Sequence, residues 1–513
     1  MGVFLYHLYG ALSGDSESFT HALRLPNLEQ TFMHSSILRQ LKNIVGREAV
    51  LDRPVDLSLY EYDAGVDKSR PGAVVFAHNT EQVSKIMRLA HENKIPVVPR
   101  GAGTGLSGGA IAQKEAIVLS TQRMNRILEI DIPNQRAVVQ PGVVNLELSN
   151  SLVKYGYYYA PDPSSQKACT IGGNVAENSG GPHTLALGVT VNHITGLEVV
   201  LPDGRVVELG GKTQECCGLD LTGFFVGSEG TLGIATKITV RLTKLPEAVS
   251  TLLAIYDSVQ DAANTVVAIT QSGVTPAALE MLDRWLLRAV EAAVHAGYPL
   301  DAAAVLLIEL EGMKEAVEEQ AEAVRAVCMG QNAREVRKAK DEAERQALWL
   351  GRKTAFGAVG RISPSYYTQD GVIPRTKVPA TLAEIERIGK KYNLQIANVF
   401  HAGDGNLHPL IMFDGRNTNE VEDSRKAAKE IMSFCLSLGG SITGEHGVGS
   451  EKMNLMPFMF TEDDLNVMVR LRNVFNPESL LNPQKVIPET RMCREITAPL
   501  PKAVVEPVAG VPV

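Results

Sequence analysis

Three of the chain's eleven histidines fall in two short clusters framed by glycine. The first reads His401-Ala402-Gly403-Asp404-Gly405-Asn406-Leu407-His408 and follows the apolar run Ile396–Phe400. A Gly-Asp-Gly turn can fold the flanking imidazoles towards one point. The second, Gly440-Ser441-Ile442-Thr443-Gly444-Glu445-His446-Gly447-Val448-Gly449, holds a carboxylate and a third imidazole. Two neutral imidazoles and one carboxylate are the ligand set of catalytic zinc sites, with a position left for substrate. Manganese or iron suits the same donors. A histidine standing alone is more often a hydrogen-bonded loop residue, but two paired, glycine-framed clusters favour a divalent metal.

A second kind of chemistry is written in glycine. Residues 97–109 read V-V-P-R-G-A-G-T-G-L-S-G-G and contain G-x-G-x-x-G at Gly103, Gly105 and Gly108. A dinucleotide-binding reading needs a helix opening at the second half and an acid about 20 residues on. Adjacent Gly108 and Gly109 disfavour that helix, and the chain runs on into another strand, Ala116–Ser120. Such a loop can point successive N–H groups inward and form an anion nest. Arg100, Thr104 and Ser107 add donors, and a pyrophosphate fits. The competing reading is a flexible surface loop. Further glycine-, hydroxyl- and amide-bearing loops follow at Pro161–Ser165, Ile171–Gly181 and Val226–Ile234.

These loops need a scaffold. From about residue 72 to 245, short β-branched runs (Ala73–Phe76, Ile117–Leu119, Arg136–Val139, Leu197–Leu201, Thr236–Leu242) alternate with glycine loops and one clear helix, Thr80–Asn93. That is an α+β texture. Pro202-Asp203-Gly204 reads as a hairpin turn. Residues 246–400 are richer in Ala and Glu: 276–296 and 313–348 read as long helices, interleaved with strand-like Ser250–Tyr256 and Ala304–Leu310. The expected organisation is an N-terminal extension (1–33), a cofactor-binding domain (34–245), an α/β substrate or cap domain (246–417), a C-terminal helical segment (418–490) and a disordered tail (491–513).

Composition narrows the function classes. With 44% hydrophobic and 21% charged residues and a net charge of −8, the chain reads as globular with no basic field for nucleic acid. No apolar run approaches the ~18 residues of a membrane span. Six scattered cysteines, without a C-x-x-C pair, argue against a disulfide framework and an in-chain iron–sulfur cluster. They suit a reducing, cytoplasmic setting. The first 32 residues match neither a secretory signal, a transit peptide nor a myristoylation site; Met33 is an alternative start, and no function is expected of the extension.

The glycine loops, taken in order and spacing over residues 60–245, resemble the FAD-binding domain of the vanillyl-alcohol-oxidase and p-cresol-methylhydroxylase superfamily. The resemblance implies a two-subdomain FAD-binding fold joined to the cap domain and the helical segment. It implies pyrophosphate contacts from Pro99, Arg100, Gly101, Ala102, Gly103, Thr104, Gly105, Ser107 and Gly108. Adenine and isoalloxazine contacts are expected from the later positions: Pro141, Gly142, Pro161, Asp162, Ser164, Gly172, Gly173, Asn174, Ala176, Asn178, Gly180, Gly181, Glu229, Gly230, Gly233 and Ile234. Some relatives attach the flavin through a His of the first loop; Pro99–Gly109 has no His, Cys or Tyr, so non-covalent FAD is expected.

The run Ala355–Arg375, the two histidine clusters and the closing Phe475-Asn476-Pro477…Leu480-Leu481-Asn482-Pro483 are similar to the flavin catalytic subunits of bacterial glycolate oxidases. These belong with the D-lactate and D-2-hydroxyglutarate dehydrogenases, and the likeness covers about 45 to 488. It implies His401, His408 and Glu445 as metal ligands, His446 as catalytic base and Arg352 as partner of a substrate carboxylate, with Arg375 as a second candidate. Phe356 and Leu410 stand where the hydroxyglutarate enzymes carry Thr and Asn, which argues against a dicarboxylate. The activity implied is FAD-dependent oxidation of glycolate and D-lactate to the 2-oxo acid. Electrons would pass to a quinone or to partner subunits (a second flavin subunit, an iron–sulfur subunit) at the inner membrane. The alternatives are D-lactate as main substrate, a non-catalytic FAD-binding subunit, and a transferase resembling alkylglycerone-phosphate synthase.

Overall fold

The computed structural model describes residues 33–213 and 218–488, so the N-terminal extension up to residue 32 and the tail expected to be disordered lie outside the described residues. Three sheets organise the chain. The first has four strands in the order Val50–Leu51, Ala73–Phe76, Ile117–Ser120, Val97–Arg100, and the last three run parallel. Parallel strands are covered on both faces, which is why these runs are apolar without alternation. The helix Thr80–Glu92 makes the crossover, with Asn79 accepting from the Gln82 N–H at its start. Its Val83, Ile86, Met87 and Ala90 bury against Val75, Ile117 and Leu119. The glycine loop leaves one strand of this sheet and enters another, as expected, without a dinucleotide helix.

The second sheet is antiparallel, in the order Ile127–Asp131, Arg136–Val139, Ile234–Arg241, Ile194–Val200, Val206–Gly210. The expected hairpin closes at Gly204, whose N–H donates to the Leu201 carbonyl at 2.9 Å. One face of this sheet buries Val139, Leu197, Val199 and Ile238 against Leu148, Leu152 and Ile171.

The third sheet is the largest, in the order Glu335–Lys338, Ala248–Tyr256, Ala304–Gly312, Ala278–Asp283, Gln395–His401, Asn406–Phe413, Ser365–Thr368. Two stretches expected to be long helices are broken by its strands. Residues 276–296 open with the strand Ala278–Asp283 before the helix Arg284–Val294. All six strand residues are buried, so the period-2 signal that marks a half-buried strand is missing. Residues 313–348 hold the helix Lys314–Gly330, the edge strand Glu335–Lys338 and the start of the helix Glu342–Ala358. That edge strand buries only Val336, too little pattern to read.

Helices cover both faces of the third sheet. Val259–Gln271, Lys314–Gly330, Val378–Tyr392 and Thr418–Ser437 pack on one, and Arg284–Val294 and Glu342–Ala358 on the other. After the helix Glu462–Phe475 the chain returns to the first sheet. There Val97 pairs in parallel with Leu481, and the Asn482 N–H donates to the Val97 carbonyl at 2.7 Å. No described helix is long and apolar enough to cross a membrane.

Candidate active site

A cavity of about 390 Å³ opens where the three sheets meet. Its walls include Pro99, Arg100, Gly101, Ala102, Gly103, Thr104 and Gly105 from the first loop, then Pro141, Ser164, Gly172, Gly173, Asn174 and Ala176, and finally Glu229, Gly230, Gly233 and Ile234. Gly103 has φ +72°, and a Cβ there would stand 2.2 Å from an Arg100 guanidinium nitrogen, so only glycine fits. Gly105 is less constrained: the nearest atom to a Cβ would be a Glu177 carboxylate oxygen at 4.0 Å. Arg100 is buried, packs 5.6 Å over the Tyr60 ring, and has an Nη1 without a hydrogen-bond partner. A buried orphan donor beside a glycine loop fits the phosphates of FAD.

The other expected cofactor residues sit behind the wall. The Ser107 carbonyl accepts from the Ser450 and Glu451 N–H groups, and Gly108 lies against Ser450. Gly142 packs on the Thr121 carbonyl, and the Pro161 carbonyl accepts from Asn145 at 2.8 Å. Asp162 pairs with His183 and Lys353. Asn178 caps Val191 N–H at 2.8 Å. Gly180 and Gly181 give close room to Glu445 and Asp162.

The register of the strand pair Gln395–His401 and Asn406–Phe413 explains the histidines. Val399 lies opposite His408, and His401 opposite Asn406. Residues two apart share a face, so both imidazoles project from the side covered by the helix Glu342–Ala358. Their rings meet edge to face with centroids 5.1 Å apart. The Gly444–Gly449 loop brings Glu445 between them: its Oε1 is 3.0 Å from His401 Nε2 and 3.2 Å from His408 Nε2. Ligand atoms of His401, His408 and Glu445 all lie within 4.8 Å of one another. Neither ring nitrogen of His408, which is fully buried, has a hydrogen-bond partner. An orphaned buried imidazole beside a carboxylate and a second imidazole fits a divalent cation.

His446 lines the cavity and stacks on His408, ring centroids 4.9 Å apart and planes 9° apart. Burial, helped by the charges of His408 and Lys452, pushes its pKa down to about 4 against the pull of Asp370. The imidazole therefore keeps an unprotonated nitrogen at neutral pH, as a general base requires, though burial makes it a weaker base than a solvated histidine.

Two carboxylates that the sequence did not mark hold this arrangement. Asp370, fully buried, accepts through one oxygen from the Thr443 hydroxyl at 2.6 Å and from the N–H groups of Gly444, Glu445 and His446 at 2.9, 3.2 and 3.0 Å. Although burial opposes ionisation, Lys452 and the neighbouring imidazoles hold this carboxyl well below the usual range. Glu280, opposite His401 in the sheet, accepts from His401 Nδ1 at 2.8 Å and from Arg352 Nε at 2.7 Å. Arg352 is 0% exposed, and its Nη1 has no partner. An acid set inside the apolar stretch Ala278–Leu282 was the legible trace of Glu280, hidden once that stretch is taken as helix.

Arg375 is exposed and outside the cavity wall, close in charge to Asp404. Phe356 lines the cavity with Tyr366 and meets His408 at 5.8 Å, whereas Leu410 is buried in the core beneath that helix. In a further acid and histidine group, His183 with Glu309 and Glu311, Glu309 is already satisfied. Glu309 accepts from Thr251 and Trp349 at 2.5 Å and from Arg345 at 3.2 Å.

A glycine-lined cavity with the His446 imidazole on its wall fits a flavin-dependent oxidoreductase. Residues 71–210 match the FAD binding domain family and residues 245–486 the C-terminal domain of FAD linked oxidases. The fold is shared with p-cresol methylhydroxylase solved with substrate bound (TM-score 0.76, 18% identity, 88% of this chain and 96% of that one). In sequence the chain is 45% identical to glycolate oxidase subunit GlcD of Escherichia coli K12 over 475 residues, 92% of this chain and 94% of that protein. It is 32% identical to the mitochondrial cytochrome-linked D-lactate dehydrogenase of Arabidopsis thaliana, over 82% of this chain and 74% of that protein. The chain belongs to the GlcD family of FAD-linked oxidoreductases.

Proposed function

We propose that this chain oxidises a small 2-hydroxy acid, glycolate first and D-lactate with it, to the 2-oxo acid, as a catalytic subunit whose electrons leave to a quinone or a partner subunit. The observation that carries the reading is the half-buried imidazole of His446 on the cavity wall, stacked on His408 beside the convergent His401, His408 and Glu445. A non-catalytic FAD carrier would have no use for that cluster. The names of the relatives, one a glycolate oxidase subunit and one a D-lactate dehydrogenase, point the same way.

FAD held non-covalently in the cavity supplies the hydride acceptor, and a divalent cation held by His401, His408 and Glu445 supplies Lewis acidity towards a chelating hydroxy acid. His446 takes the proton from the substrate hydroxyl oxygen, the step that lets the α-hydrogen depart as hydride. Asp370 fixes the backbone that carries Glu445 and His446, and Glu280 fixes the ring of His401 from its second nitrogen, as carboxylates do behind metal-binding histidines. Phe356 and Tyr366 close the space beside His446 with aromatic surface, which suits a short or absent side chain on the substrate and offers no partner for a second carboxylate. Turnover of glycolate, D-lactate, L-lactate and D-2-hydroxyglutarate with an artificial dye as acceptor tests the assignment. Glycolate and D-lactate are expected to be oxidised, and a preference for D-2-hydroxyglutarate would contradict it.

A further inference from the structure

Glu177 lines the cavity, and its Oε2, sealed from solvent, has no hydrogen-bond partner among the described residues. The residue ends the short helix Ile171–Glu177, and its two oxygens face different parts of the wall. Oε1 is on the side of the first glycine loop: a Cβ on Gly109 would stand 3.0 Å from it, and one on Gly105 4.0 Å. Oε2 is on the side of the catalytic loop, where a Cβ on Gly447, the residue after His446, would stand 2.2 Å away. The carboxyl thus spans from the phosphate loop to the neighbour of His446, where the reacting ring of the flavin must lie.

A second carboxyl shares this space, since the same point beside Gly447 is 2.9 Å from Glu229 Oε1. Glu229 is supplied with donors: its Oε1 accepts from the Val448 N–H and its Oε2 from the Gly449 N–H, both at 2.7 Å. Glu177 has no such donor at Oε2. Carboxyls that share one buried space resist ionising together, so the one without donors keeps the proton. The surrounding charges agree. Burial raises both carboxyls, but the two amides, Lys452 and Lys485 pull Glu229 back. At Glu177 the charges of Glu229 and Asp63 add to the rise, against the pull of Lys452. Both lysines have other partners, Lys452 in Asp370 at 3.4 Å and Lys485 in the Ile111 carbonyl at 2.9 Å.

A protonated carboxyl is a hydrogen-bond donor, and a ring that has received a hydride is electron-rich. A donor held against that ring binds the reduced form more tightly than the oxidised one, whereas a carboxylate would oppose reduction. We propose that Glu177 is a flavin-contacting residue whose neutral carboxyl donates a hydrogen bond to the isoalloxazine and favours the reduced cofactor. The inference rests on the ring lying beside His446, as in the function proposed above.

The test is the two-electron reduction potential of purified holoenzyme, wild type and the variants Glu177→Gln and Glu177→Leu, read against reference dyes with a chemical reductant in place of a hydroxy acid. Gln keeps a neutral donor and Leu removes it. One hydrogen bond that strengthens towards a charged ring is worth about tenfold in the preference for reduced over oxidised FAD. The Gln variant is expected within about twofold of wild type in that preference, and the Leu variant about tenfold, or about 30 mV, lower. Reduced-minus-oxidised infrared spectra should carry a carboxylic-acid C=O band in wild type that is missing from the Gln variant. A preference raised tenfold or more in the Gln variant would mark an ionised carboxylate and overturn the proposal. A Leu potential equal to that of wild type would remove the contact with the ring and overturn it as well. If the Leu variant fails to hold FAD, the infrared band decides, and a wild-type spectrum without it overturns the proposal. Because the reductant is not a hydroxy acid, a holoenzyme inert to glycolate and D-lactate would refute the proposed function and leave the potentials to decide on Glu177.

Discussion

Replacing Asp370 by Asn tests how the catalytic loop is held. One Asp370 oxygen gathers the Thr443 hydroxyl, three successive backbone N–H groups and the Lys452 ammonium at 3.4 Å. Lys452 is 2% exposed, and its one ion pair among the described residues is with Asp370. Removing one partner of a buried ion pair costs about 3–5 kcal/mol, because the other charge is left buried. Here that cost falls on the docking of residues 443–449. At 1.4 kcal/mol per tenfold, the amides of Gly444, Glu445 and His446 should exchange about 10² to 4 × 10³ times faster in the Asn variant. The rest of the third sheet should keep its protection. Because Glu445 and His446 both ride on this loop, flavin reduction by D-lactate should fall at least ~10²-fold while FAD stays bound. Hydrogen–deuterium exchange with peptide-level readout measures the first effect and anaerobic mixing the second. Unchanged exchange at 443–449 together with a wild-type reduction rate would refute the role given to Asp370.

Three further outcomes follow from the geometry. Gly103→Val should yield protein without FAD, since the side chain would collide with Arg100 in a backbone conformation closed to β-branched residues; absorbance reads both the release of wild-type FAD by acid and the flavin content of the variant, and full occupancy of the variant would contradict the placement of the cofactor. His408→Ala should lose the divalent metal and most activity but keep flavin absorbance, checked by elemental analysis; active enzyme free of any transition metal would sink the metal reading. Burial opposes ionisation of Glu309, but His183, Thr251 and Arg345 outweigh it and hold the pKa down to about 2. Its folded pKa lies below the unfolded one, so this contribution, of order 3 kcal/mol, is present above about pH 4.5 and fades as pH falls towards 2. The melting-temperature gap between wild type and Glu309→Gln should therefore narrow from pH 6 to pH 3, and a constant gap would contradict the assignment.

Much of the site was legible because its residues are local in sequence. The Gly-Asp-Gly turn needs Gly405, with φ +73° and the Ile373 carbonyl 2.2 Å from where a Cβ would be, and the strands either side set the imidazoles on one face by register alone. The glycine loop announced itself in the same way, and its strand-to-strand path followed from Gly108 and Gly109. What stayed hidden is what arrives from far along the chain. Asp370 reaches across to 443–446, and Glu280 reaches His401 from a neighbouring strand. Neither has a local pattern. The strand Ala278–Asp283 shows the same limit in the fold: buried on both faces, it lacks the alternation that separates strand from helix.

The claim most in need of direct trial is that a 2-hydroxy acid gives up its hydroxyl proton to His446. Anaerobic stopped-flow mixing of wild type and His446→Ala with D-lactate, L-lactate and glycolate reads the flavin band with no acceptor present. The account predicts rapid bleaching of wild type by glycolate and D-lactate and little by L-lactate. It predicts a rate at least ~10²-fold lower in the Ala variant, which should keep its FAD and metal. Equal bleaching by the two lactates, or wild-type rates in His446→Ala, would contradict it.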